Sequence, residues 1–183
     1  MMPRLAASPW AVLMAALLFY VSDGRTLCLC LLPILVHEAG HALALRLCGC
    51  RITELRLCLS GLSLRYAGTL GATKQALCAF AGPLAGLFYA AAAARFGSDG
   101  ALSAGISLLL SAFNLIPAPP LDGAQIASAL LGERAADVLA AISAGAVFAG
   151  GVWLWAAERG AGLALAGVFL LFDHFSSSAR SPD

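Results

Sequence analysis

The residues best suited to chemistry in this chain stand in one short run, His37-Glu38-Ala39-Gly40-His41. On an α-helix, positions four apart share a face, so His37 and His41 can bind one ion. Glu38 then lies where it could act on a water beside that ion, which is the chemistry of metal-assisted hydrolysis. The run sits inside the apolar stretch Leu27–Leu47. Ionisable groups at membrane depth are costly, so such a cluster reads as a functional site. The competing reading is a pair of histidines that only hydrogen-bond neighbouring helices.

A hydrolytic zinc site keeps three protein ligands and leaves one position open. The third ligand is expected in Asn114-Leu-Ile-Pro-Ala-Pro-Pro-Leu-Asp-Gly123. There Pro117, Pro119 and Pro120 end an apolar segment, Gly123 permits unusual backbone geometry, and Asp122 offers a carboxylate. Non-helical backbone at membrane depth is tolerated where protein or a water-filled cavity surrounds it. The alternative for Asp122 is an N-cap to a helix starting at Gly123. Asn114 is a candidate donor to a substrate backbone or a developing oxyanion, against an ordinary interhelical hydrogen bond.

The elements that carry these residues are apolar. Of the 183 residues, 61% are hydrophobic and 11% charged, with mean hydropathy +0.88, against about 45–50% and 25% in soluble domains. The chain reads as an all-α polytopic membrane protein. Six apolar segments are expected as transmembrane helices: 9–21, 27–47, 75–94, 101–116, 136–156 and 161–175. The first follows Arg4 and could serve as a signal peptide, though it lacks a small-residue cleavage site. Asp122–Leu131 is too short to span and is expected to continue the fourth segment after a break. Arg51 to Tyr66 alternates apolar and polar residues on both sides of Ser60-Gly61, which predicts a short interfacial β-hairpin between the second and third spans. Its edge could receive an extended peptide by strand addition.

With the N-terminus in the cytoplasm, eight of the eleven Lys and Arg residues fall inside and Arg25, Arg95 and Arg159 outside, which predicts both termini cytoplasmic. A net charge of +1 gives no electrostatic case for nucleic acid. The six cysteines form no CxxC pair and read as small packing residues. His174, Trp10, Trp153 and Trp155 read as boundary or lipid-facing residues.

His37-Glu38-Ala39-Gly40-His41 in an apolar segment, followed by Asn114…Leu121-Asp122-Gly123, resembles the site-2 protease family of intramembrane zinc metalloproteases. Its compact branch, with the stage IV sporulation protein FB, is the most similar in layout. The resemblance implies Zn²⁺ on His37, His41 and Asp122, with Glu38 as general base and acid. It also implies substrate-side roles for Gly82 and Pro83 in Phe80-Ala-Gly-Pro-Leu-Ala-Gly86. It covers about residues 27–131, and a single membrane-embedded domain over 1–183 is expected; the chain departs from some relatives in offering no stretch long enough for a PDZ domain between the core spans and no room for the CBS domain of sporulation-type members. The implied partners are the lipid bilayer, a membrane-tethered substrate such as a pro-sigma factor, and a regulatory membrane protein. Two other functions use similar residues. A divalent-metal transporter needs polar sites on both sides of the midplane, and the apolar segments hold few. A catalytically silent relative is expected to lose ligands that are present here.

Overall fold

The computed structural model describes residues 4–7, 12, 16, 19–20, 22–58 and 61–178. The first expected segment, 9–21, falls almost wholly outside them. The packing inverts the pattern of a water-soluble protein. Buried positions are mainly Ala, Gly, Ser and Cys, while Leu35, Leu43, Phe88, Ile142 and Phe172 are exposed. Lipid gives no reward for hiding large apolar side chains, whereas small ones let helices approach closely.

The first unit runs to Phe113. It holds β1 (Arg4–Ala7), α1 (Gly24–Leu47), β2 (Arg51–Cys58), β3 (Gly61–Ala67), α2 (Ala72–Ala93) and α3 (Gly97–Asn114). Asp23 caps α1 by accepting from the Thr26 amide at 3.1 Å. Pro33 lies inside α1 and has no N–H for the Leu29 carbonyl one turn back. The Ser103 hydroxyl of α3 donates to that carbonyl instead, at 3.0 Å. The Tyr89 hydroxyl of α2 then donates to Ser103 Oγ at 2.7 Å. One serine thus repairs a break in α1 and ties three helices together. At the N-terminal end of α1, Arg25 forks onto Asp99 of α3 at 2.7 and 2.6 Å.

The expected hairpin is present as β2 and β3, paired antiparallel from Arg51↔Ala67 to Cys58↔Gly61. A register shift falls between Ile52 and Glu54, and there Thr53 Oγ1 donates to the Arg65 carbonyl. The sheet also has a third strand that the periodicity did not predict. β1 pairs parallel with β2, from Arg4↔Glu54 to Ala7↔Leu57. The outer edge of β2 is therefore occupied by the chain itself.

The second unit, Asn114–Asp183, holds α4 (Asp122–Leu131), α5 (Glu133–Ala156) and α6 (Gly162–Ser178). The expected break before Asp122–Leu131 is present: residues 115–121 with their three prolines interrupt the backbone ladder, and Asp122–Leu131 forms its own helix. α5 and α6 meet through glycines: a Cβ on Gly151 would lie 2.3 Å from Ala164 N, and one on Gly167 would lie 2.4 Å from Phe148 Cα. The expectation of six crossings is met in part. Among the described residues, α1, α2 and α5 are long and apolar enough to cross a membrane, and Gly162–His174 is a shorter apolar helix. α3 is less apolar, with Ser103, Ser107 and Ser111 buried along one face.

Candidate metal centre

The spacing of four places His37 and His41 on one face of α1, with His37 3% exposed. Their rings meet edge to face, with centroids 4.8 Å apart and planes at 78°. His41 Nδ1 lies 2.8 Å from the Cys78 carbonyl of α2. A carbonyl only accepts, so this contact puts the His41 proton on Nδ1 and leaves Nε2 as the lone-pair atom. That Nε2 faces the Nε2 of His37 at 3.2 Å. Two zinc–nitrogen bonds of ~2.0–2.1 Å at a tetrahedral angle hold their nitrogens about 3.3 Å apart. The pair is spaced for one ion.

Asp122 is buried, 9% exposed, and opens α4. It is the first helical residue. The N-cap position belongs to Leu121, so the alternative of Asp122 as a cap does not describe it. Nitrogens of His37 and His41 and a carboxylate oxygen of Asp122 all lie within 4.8 Å of one another. Two imidazoles and one carboxylate form the His₂Asp donor set of a hydrolytic zinc site, with a fourth position left for water or substrate. The residues present fit zinc.

Two glycines make this geometry possible. A Cβ on Gly40 would stand 2.5 Å from the Ala81 carbonyl oxygen and 2.7 Å from Ala85 Cβ. A Cβ on Gly82 would stand 2.2 Å from His41 Nε2. α1 and α2 touch closely enough for Cys78 to reach His41 because both positions lack a side chain. Gly82 and Pro83 are buried in α2, and Gly82 lies against the His41 ring. Glu38 is half-buried on α1, and Asn114, also half-buried, ends α3. His174 stands in α6, outside the ligand group. Sequence reasoning missed the Cys78 carbonyl, since any residue supplies a carbonyl, and it missed the packing role of Gly40. The signal for Gly40 was available: a glycine between the metal-binding histidines of a long apolar helix.

Residues 69–157 match the model of Peptidase family M50, a segment that contains Asp122 but not His37 or His41. Rip3 of Mycobacterium tuberculosis, whose name describes a zinc metalloprotease, is 34% identical over 165 residues in strains Erdman and H37Rv. The alignment covers 78% of this chain and 41% of Rip3, so the chain spans about two fifths of that relative's length. Among solved structures, the site-2 protease from Methanocaldococcus jannaschii matches with a TM-score of 0.69 at 19% identity, over 100% of this chain and 94% of the other.

Proposed function

From a site-2 protease fold with a His₂Asp centre on apolar helices, we propose that this protein is an intramembrane zinc endopeptidase. The observation that carries the reading is the convergence of His37, His41 and Asp122 within 4.8 Å. A zinc ion held there supplies Lewis acidity, polarising a carbonyl and making water a nucleophile near neutral pH. His37 and His41 bind as neutral imidazoles, and Cys78 holds His41 in the binding tautomer. Glu38, next to a ligand on α1, takes the proton from the attacking water and returns it to the leaving amine. Asn114 donates to the substrate backbone or oxyanion, and Gly82 and Pro83 shape the substrate side of α2.

The substrate is a membrane-tethered protein whose scissile segment is extended beside the sheet. With β1 on β2, β3 has the outer edge that can take an added strand. With the six crossings expected from the apolar segments, Lys and Arg placement supports both termini and the active site toward the cytoplasm. The narrower readings, the sporulation branch and a pro-sigma-factor substrate, rest on the motif resemblance alone.

The test compares detergent-purified wild type with Glu38→Gln for zinc by elemental analysis and for cleavage of single-span peptides. Equal zinc with cleavage only in the wild type is the expected result. Cleavage by Glu38→Gln overturns its role. A wild type without bound zinc, unchanged by His37→Ala, overturns the whole reading.

A further inference from the structure

Beside the metal centre lies a pair of thiols that the proposed hydrolysis does not use. Cys48 caps the C-terminal end of α1, its amide donating to the Ala44 carbonyl. Cys78 projects from α2 and is 5% exposed, packed with Leu45 and Cys50. The Cys78 thiol donates to Cys48 Sγ across 3.7 Å. Cys48 is half-buried and Cys78 buried, so the pair has one partly exposed partner and one sealed behind it.

We propose that Cys48 and Cys78 are a modification site, forming a reversible disulfide that couples peroxide to the metal centre. Joining the sulfurs at about 2.05 Å shortens their 3.7 Å separation by about 1.6 Å, a closure shared between side-chain rotation and a shift of the Cys78 backbone. The chemistry balances with a peroxide as oxidant. The Cys48 sulfur attacks one peroxide oxygen; the O–O bond breaks, water leaves, and Cys48 becomes a sulfenic acid. The Cys78 sulfur then attacks the Cys48 sulfur; the S–S bond forms, the S–O bond breaks, and a second water leaves. Two thiols and one hydrogen peroxide give one disulfide and two waters, the sulfurs surrendering two electrons. Disulfides in reducing compartments are commonly transient and redox-sensing.

The coupling follows from one residue having two jobs. Cys78 offers its thiol to Cys48 and its carbonyl to His41. Drawing its sulfur toward α1 displaces the carbonyl that orients the ligand, and outer partners of this kind are worth roughly 10–100-fold in metal affinity. This half of the proposal rests on the zinc reading, whereas the disulfide does not.

The experiment treats the reduced protein in detergent with hydrogen peroxide. Its readouts are intact mass, peptide mapping of the linkage, and zinc affinity by chelator competition. Loss of two hydrogens, a Cys48–Cys78 link reversed by dithiothreitol, and zinc affinity lower by about tenfold are expected. Cys48→Ser should abolish the link, and Cys50→Ser should keep it. A link between other cysteines, or no link while the exposed Cys28 is oxidised, overturns the site. A Cys48–Cys78 link with unchanged zinc affinity overturns the coupling. Reduced protein that links normally but cleaves no peptide counts against the peptidase reading and leaves the modification standing.

Discussion

At the scale of single residues, the centre depends on which atom carries which proton. Asp122→Asn preserves shape and removes the charge that completes the donor set. Its zinc affinity should fall by more than the roughly 10–100-fold attached to outer partners, read by chelator competition. Asp23 offers a check on helix capping. Hydrogen bonds from Thr26, the side chain's first and then the backbone's, hold the exposed Asp23 carboxyl below the ordinary carboxylate range. A lowered folded-state pKa means its contribution is fully present above the unfolded value, about 3.9, and fades as pH falls through the folded value. The melting difference between wild type and Asp23→Ala should therefore persist at neutral pH and vanish in acid. His37, His41 and Asp122 were legible in the sequence because metal chemistry restricts both the side chains and their spacing. The Cys78 carbonyl was not, because its role belongs to the backbone and depends on a second helix.

At the scale of elements, close approach of helices decides the outcome. Gly82→Ala places a methyl within 2.2 Å of His41 Nε2, so zinc binding and cleavage should both be lost while the protein remains helical by circular dichroism. Gly105 and Gly145 lie in helices with open space around them. Alanine at either should leave zinc content unchanged and stabilise modestly, by up to about 1 kcal/mol, read as a small rise in melting temperature. Ser103→Ala removes the donor to Leu29 and the acceptor for Tyr89. Leaving such groups unsatisfied costs about 1–3 kcal/mol, so its melting temperature should fall while metal stoichiometry holds. The long helices were readable from apolar runs, with α1 predicted from Leu27 and observed from Gly24. The hairpin was readable from its period of two. β1 was not, since four residues without alternation carry no strand signal and its partner lies beyond a whole helix.

At the scale of the whole molecule, the inverted distribution of side-chain sizes explains why composition announced a membrane protein so early. The surface is a solvent-matched coat of Leu, Phe, Ile and Val, and the interior is small and faintly polar. The same feature hides detail, because a run apolar on every face gives no period from which to read which side faces a neighbour. The ion pair between Arg25 and Asp99 brings the start of α1 and the start of α3 to one level. The histidines lie toward the other end of α1, where the sheet stands. If that end is cytoplasmic, a protease added to sealed inside-out vesicles should cut between β2 and β3 and spare the segment between α2 and α3.

The parallel strand bears on how the molecule is made. Arg4 pairs with Glu54, a closure over fifty residues that includes all of α1. Contacts so distant in sequence form slowly, since the entropy of closing the loop is lost before pairing is gained. During synthesis β1 must wait, unpaired, until α1 has been inserted and β2 has emerged. The histidine-bearing helix is thus in place before the sheet beside it is complete, and Asp122, the third member of the ligand group, follows only after both. The two histidines and the carboxylate that complete one ligand group are therefore separated in synthesis by β2, β3 and two helices.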